Sequence, residues 1–323
     1  MNRIMIVDML NMYYRAYIVD PSLSTNGQPI GGIKGSLKIL QKLCREVKPT
    51  KVFICWDGRE GSSKRKSQQS GYKEGRKKPL RLNRDVVILD ERQEIQNKIW
   101  QQTRLMEYFN QLPISQLMMD HTEADDLIAA LCGLYKETQK VIVSSDKDFF
   151  QLLDETTLLY RPVQKEILNK KHIVEKFDIH PVNFTLARAM AGDKSDNIEG
   201  IGGVGLKSAA KRFPFLKEEH SHSISDLIEY SEKMLEESDL RIYNGVVENE
   251  EILANNYQIM QLYCNSLSPA NAMVLREAAK DYPLELNQTE MLKMMIRDGF
   301  AEISFEDLFA HMKNIKRTNN AAE

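Results

Sequence analysis

Three short apolar runs that each lead into an aspartate limit what this chain can fold into: IMIV before Asp8, VFICW before Asp57 and VIVSS before Asp146. Runs of four or five apolar, partly β-branched residues suit strands buried on both faces. Longer helical patterns, GSLKILQKLCREV and EADDLIAALCGLY, separate them. That alternation predicts an α/β fold, a mainly parallel sheet flanked by helices. Open parallel sheets hold their ligands beyond the carboxyl ends of the strands, so three strand-ending aspartates place three carboxylates at the functional edge. Each aspartate taken alone has a second reading, as the cap of the following turn.

Further acids join them. HTEADDLIAAL puts Glu123, Asp125 and Asp126 in the first turn of a helix, with Glu123 and Asp126 on one face. First-turn acids also complement the helix dipole, so capping is again the alternative. SSDKDFF adds Asp148 to Asp146, and GDKSDN adds Asp193 and Asp196. Nine carboxylates packed together without counterions would repel and raise one another's pKa values. Divalent cations resolve that conflict. Carboxylate oxygens suit Mg²⁺ or Mn²⁺, whereas zinc prefers His or Cys spacings that this sequence lacks.

The charge distribution points the same way. The formal net charge is only −2, but residues 59 to 84 carry ten Lys and Arg against two Glu. The block follows the second apolar run and has no sustained apolar period, so it is expected as an excursion from the sheet edge, mobile or helical only when engaged. An acidic pocket in a basic surround is what a phosphodiester enzyme requires.

GIGGVG at 200–205 is a literal match to the dinucleotide fingerprint G-x-G-x-x-G. The fingerprint needs a buried strand before it and a helix after it. Here a helical pattern with Phe184, Ala187, Arg188 and Ala191 precedes it, so NAD binding is not expected. Cys44, Cys55, Cys132 and Cys264 form no C-x-x-C pair and sit in apolar surroundings, which fits reduced core thiols and a cytoplasmic location. No run of about 18 apolar residues is present to cross a membrane. Around His180-Pro181 the pattern changes to helices alone. The Met-rich MLKMMIRDGF is expected as core, 217–250 as solvated helix and loop, and the tail from 311 to 323 as frayed.

With these residues in hand, the sequence resembles the 5′-nuclease family: flap endonucleases, phage 5′-to-3′ exonucleases and the nuclease domain of bacterial DNA polymerase I. The matching stretches are IMIVDMLNMYYRAY, TNGQPIGGIKG, WDGREGSSKRKS, YKEGR, EADDLIAAL, VIVSSDKDFFQLL and GDKSDNIEGIGGVGLKSAAKRF, in family order over residues 1 to 213. The resemblance implies a PIN-like catalytic domain over 1–180 with a basic arch at about 59–95, and a helical DNA-binding region over 181–310. It implies two Mg²⁺ ions, with Mn²⁺ as substitute: Asp8, Asp57, Glu123 and Asp125 around one, and Asp146, Asp148, Asp193 and Asp196 at the other. Asp126 belongs to the cluster without an assigned place. Tyr72, Lys73 and Arg76 would lie in the arch, Tyr72 stacking on a base while Lys73 and Arg76 steady the phosphate beside a catalytic Asp146. The 200–205 turn would be the hairpin of a helix-three-turn-helix, where Gly203, Gly205 and Lys207 approach duplex phosphate and carbonyls can hold K⁺. Met9 and Leu10 depart from the small residues usual after the first aspartate.

The implied function is structure-specific hydrolysis of DNA, and of RNA primers in RNA–DNA hybrids, near 5′ ends, flaps or nicks. Partners would be branched or nicked duplex with a 5′ single strand and a replication polymerase or single-strand-binding protein. A stand-alone monomer is expected, since no polymerase segment occurs within the 323 residues. Competing readings are a branch-binding protein that does not cut, which has no need of nine acids, and a PIN-type ribonuclease, which has no need of the hairpin.

Overall fold

The structure, a computed structural model, describes residues 2–76, 79–82, 84, 86–262, 267–300 and 305–320. The first apolar run forms β1 (Arg3–Asp8), followed without a loop by α1 (Met9–Val19) and then by α2 (Gly31–Val47). The second run is β2 (Lys51–Cys55), and the basic block after it contains α3 (Ser63–Gln68). Then come α4 (Glu91–Phe109), β3 (Ser115–Leu117), α5 (Ala124–Leu134), β4 (Gln139–Val143), β5 (Thr157–Arg161) and β6 (Glu166–Leu168). The order across the sheet is β3-β2-β1-β4-β5-β6, parallel except for β6 at the edge.

This order has one switch point. From β1 the chain steps to β2 on one side, and β4 returns on the other. Asp8 pairs with Cys55 and Val7 with Val143, so the ends of β1, β2 and β4 are level and their aspartates converge. β1, β2 and β4 are buried at all but their first residues, which requires cover on both faces. α1 packs on α2, and α2 on α4, while α5 packs on β1 and β2.

Beyond β6 the α-helices among the described residues are α6 (Lys170–Phe177), α7 (Phe184–Ala191), α8 (Leu206–Arg212), α9 (Ile224–Leu235), α10 (Arg241–Glu248), α11 (Glu250–Met260), α12 (Pro269–Lys280), α13 (Gln288–Arg297) and α14 (Glu306–Asn320), with no further strand. Met291, Met294 and Met295 are buried as core. Cys44, Cys55 and Cys132 are buried free thiols, while Cys264 lies outside the described residues.

Two expectations are corrected. The tail is not frayed from 311: α14 runs to Asn320, packs against α2 and buries Leu308, Phe309, Met312 and Ile315. Its apolar spacing of three and four residues is a helix stripe that local composition hides. Asn319 Nδ2 also donates to the Thr50 carbonyl at 2.7 Å. The basic block, in turn, is docked rather than free over residues 63 to 76, for reasons that belong to the site; Lys77 and Lys78 lie outside the described residues.

Candidate active site

At the switch point a cavity of about 280 Å³ is lined by Asp8, Asp57, Asp125, Asp146 and Asp196, together with Lys73 and Arg76 and with Leu10, Asn11 and Tyr14. The five aspartates come from five separate stretches of chain. Parallel strand ends bring in Asp8, Asp57 and Asp146; the α5 N-terminus brings Asp125; the loop after α7 brings Asp196.

Capping and clustering turn out to coexist. Asp8 is the N-cap of α1, its Oδ1 accepting from the Asn11 amide at 3.2 Å, while its Oδ2 accepts from Ser144 Oγ at 2.8 Å. Asp57 Oδ1 accepts from the Ala124 amide at 2.8 Å, capping α5 from another strand. Asp146 Oδ1 accepts from the Asp148 amide at 2.9 Å. Each bond spends one lone pair of an acceptor that has several, so each carboxylate is oriented and still able to ligate.

The cost of the crowding appears in the proton affinities. Burial pushes the Asp8 carboxyl up to about 7 against the hydrogen bonds from Ser144 and Asn11, and the charges of Asp57 and Asp146 add to it. Burial, with Asp146 beside it, also takes Asp148 to about 7 although Arg188 opposes the rise. Burial and the neighbouring Asp146 and Asp8 hold Asp125 well above the carboxylate range. Repulsion of this kind is what a cation would relieve.

A second acidic group is contiguous with the first. Asp148, Asp193 and Asp196 each offer a carboxylate oxygen within 4.8 Å of the others. Arg188 of α7 serves this group: its Nη2 is 2.8 Å from Asp148 Oδ1 and also ion-pairs with Asp193. Burial works against the Arg188 charge, but Asp148 and Asp193 outweigh it and raise its pKa.

Glu123 and Asp126 do not line the cavity. Asp126 takes a two-pronged pair from Arg65, with Nη2 to Oδ1 at 2.8 Å and Nη1 to Oδ2 at 3.0 Å. Glu123 accepts from Arg65 Nη1 through Oε2 and from Lys73 Nζ through Oε1, each at 2.5 Å. Of the acids the resemblance implies for the second metal, Asp146 and Asp196 line this cavity, while Glu123, the N-cap of α5, and Asp126 in its first turn share Arg65.

Arg65 also explains the docking of the basic block. It is 9% exposed, and its Nε donates to the Ile259 carbonyl at the end of α11 at 3.0 Å. Tyr72 follows it inward, 4% exposed among Ile198, Ile259 and Met260, with its hydroxyl 3.4 Å from Glu123 Oε2. Base stacking by Tyr72 is thus corrected: its ring is already packed. The Lys73 amide donates to the Asp196 carbonyl at 2.9 Å and Arg76 ion-pairs with the Asp196 side chain. Sequence reasoning missed Arg65, Arg188 and Asn11. Arg65 was one cation among ten, and only its apolar surroundings and paired acids, supplied by other elements, single it out.

At the glycine turn, Gly200 is packed against backbone: a Cβ there would lie 2.4 Å from the Ala191 carbonyl carbon and 2.5 Å from the Gly192 nitrogen. Gly203, at φ +79°, and Gly205 have open space instead. The Gly205 amide donates to Ser208 Oγ at 2.9 Å, closing the cap of α8, on which Lys207 is exposed.

A family model for the N-terminal, resolvase-like domain of 5′-3′ exonucleases matches residues 3–178. The chain belongs to the 5′-3′ exonuclease family. Among its relatives, a 5′-3′ exonuclease of Aquifex aeolicus is 27% identical over 320 residues, covering 96% of this chain and all of that one. A flap endonuclease Xni of Shewanella sp. strain MR-4 is 32% identical over 216 residues, covering 65% of this chain and 74% of its own. The fold is that of a bacteriophage T5 flap endonuclease solved with DNA and metal ions, with a TM-score of 0.63 at 16% identity over 98% of this chain and all of that one. Within this exonuclease family frame, the fold expected from the three aspartate-ended runs is the one observed. No described helix is long and apolar enough to cross a membrane.

Proposed function

We propose that this chain is a metal-dependent, structure-directed 5′-nuclease that hydrolyses phosphodiester bonds of DNA, and of RNA in RNA–DNA hybrids, near 5′ ends, flaps or nicks. The observation that carries the reading is the shared cavity, which five aspartates line together with Lys73 and Arg76. Acids alone would repel a phosphodiester, and cations alone would bind it without activating an attack. Together they fit a reaction that needs both.

The donor set fits hard cations, because every candidate ligand atom is a carboxylate oxygen. Asp8, Asp57, Asp125 and Asp146 would hold one Mg²⁺ or Mn²⁺, and Asp148, Asp193 and Asp196 a second. When bound, such ions supply water activation and stabilise charge at the scissile phosphate. The chain's own groups have separate tasks. Lys73 and Arg76, held at the rim by Glu123 and Asp196, orient the phosphate and oppose the charge that develops on its oxygens. Arg65 keeps Glu123 in place to hold Lys73. Gly203 and Gly205, with open space around them, and Lys207 would meet duplex phosphate without reading sequence; K⁺ would sit at that same turn. A replication polymerase or single-strand-binding protein fits as a partner, with the chain acting as a monomer.

The test uses a 5′-labelled flap duplex and a nicked duplex, each with Mg²⁺, with EDTA and with Asp146→Ala. Metal-dependent release of a short 5′ fragment that the variant does not release supports the reading, and fragment length separates flap cutting from stepwise digestion. Tight binding without cleavage in Mg²⁺ or Mn²⁺ would instead favour a branch-binding protein.

A further inference from the structure

Gln151 sits in the single turn Asp148–Leu152, three residues beyond Asp148, and is 3% exposed. All four of its hydrogen-bonding positions are used. Its Nε2 donates to the Asp148 carbonyl at 2.8 Å and to the Met260 carbonyl at 3.1 Å. Its Oε1 accepts from Thr185 Oγ1 and from the Leu262 amide, both at 2.8 Å. A primary amide has two donors and two acceptor lone pairs, so this one is saturated. Three elements meet on it: the Asp148 turn, α7 and the end of α11.

The same end of α11 holds the other side of the site. The Ile259 carbonyl accepts from Arg65, the residue that grips Glu123 and Asp126, while the next carbonyl, Met260, accepts from Gln151. Consecutive peptide groups of one helix terminus thereby fix the backs of both acidic groups. Helix termini leave such carbonyls without intrahelical partners, so they are available for this use.

We propose that Gln151 is a positioning residue for cation binding, tying Asp148 to the end of α11 so that the helical region sets the spacing between the two acidic groups. The inference rests on the reading of Asp148 as a ligand. Buried networks that are fully satisfied hold one geometry, and loss of a single member leaves the others unpaired. Gln151→Met keeps the volume and removes every bond. Gln151→Glu keeps the shape and both acceptor bonds but turns a second carboxylate oxygen toward the Asp148 and Met260 carbonyls. Thr185→Val removes one accepted bond and leaves both donors.

The experiment measures Mn²⁺ binding by calorimetry on the full chain at a temperature well below unfolding, with DNA cleavage and thermal unfolding in parallel. Both Gln151 variants are expected to bind Mn²⁺ about 10- to 100-fold more weakly, with kcat falling while KM for DNA holds, and Thr185→Val should lose less. If Gln151→Met does not fold, Gln151→Glu carries the measurement. Lower unfolding temperature with unchanged Mn²⁺ affinity and kcat would overturn the proposal and leave Gln151 a purely structural group. Asp148→Asn is the reference: unchanged affinity in that variant would remove the ligand reading itself, whereas weakened affinity there with intact Gln151 variants would overturn only the positioning role.

Discussion

Nζ of Lys73 lies 2.5 Å from Oε1 of Glu123, so an ion pair joins the rim of the cavity to the residue that precedes α5. Burial opposes the Lys73 charge, but Glu123 and Asp125 outweigh it and raise its pKa. The ammonium is therefore fixed in place and kept charged at neutral pH. Lys73→Ala or Arg76→Ala is expected to lower the single-turnover cleavage rate by about 10²- to 10³-fold, the range for removing one charge-stabilising donor. Duplex affinity should change much less. Single-turnover rates beside equilibrium binding separate the two; equal loss in both would place these cations in binding alone.

Asp8 is 8% exposed among other acids, and its role and its stability oppose each other. Asp8→Asn removes a buried charge but keeps an oxygen to accept from the Asn11 amide. The variant should therefore unfold at a higher temperature than the parent in EDTA at pH 8, while cleavage is abolished. Unfolding scans and the flap assay check the pair of outcomes. A less stable variant would mean that the bonds to Ser144 and Asn11 outweigh the repulsion.

The pH dependence without metal follows from the same groups. Asp8 and Asp148 rise from 3.8 to about 7 in the folded chain. A raised folded pKa gives stability that is fully present below about 3.8 and lost as pH climbs through about 7. Asp193 shifts the other way: burial is outweighed by Arg188, so its contribution is lost only as pH falls below 3.8, outside this window. In EDTA the unfolding temperature should fall between pH 5 and pH 8 by more in the parent than in Asp8→Asn. Mg²⁺ should raise it more at pH 8 than at pH 5, because protons and cations compete for the same oxygens. Equal Mg²⁺ increments at both values would contradict cation binding by this cluster.

The glycine turn divides into a packed half and an open half. Gly200→Ala would press a methyl into the backbone of Ala191 and Gly192 and should destabilise the fold outright. Gly203→Ala meets no neighbour but forces φ +79° on a residue with a side chain, a cost of about 1 kcal/mol. Lys207→Glu, exposed on α8, should leave unfolding unchanged, weaken binding to branched duplex and reduce its salt dependence, with single-strand binding little altered. Unaltered duplex affinity in Gly203→Ala and Lys207→Glu would move the duplex contact elsewhere.

By itself the sequence determined the parallel core and the edge at which the acids gather. β1, β2 and β4 are legible because strands buried on both faces must be continuous apolar runs, and because a chain leaving such a strand places its next polar residue at the carboxyl edge. β3 and β6, of three residues each, carry no period long enough to read. What only tertiary structure decided is which charges face the cavity and which face one another. Glu123, Asp125 and Asp126 stand together on a helix start, yet Asp125 lines the cavity while its two neighbours turn to Arg65. Tyr72 and Lys73 are adjacent, yet one is core and the other rim. Local sequence fixes the direction of a side chain relative to its own element. The partner it meets there comes from chain tens of residues away, and whether that partner is a cation, an apolar ring or open space is settled only when the elements pack.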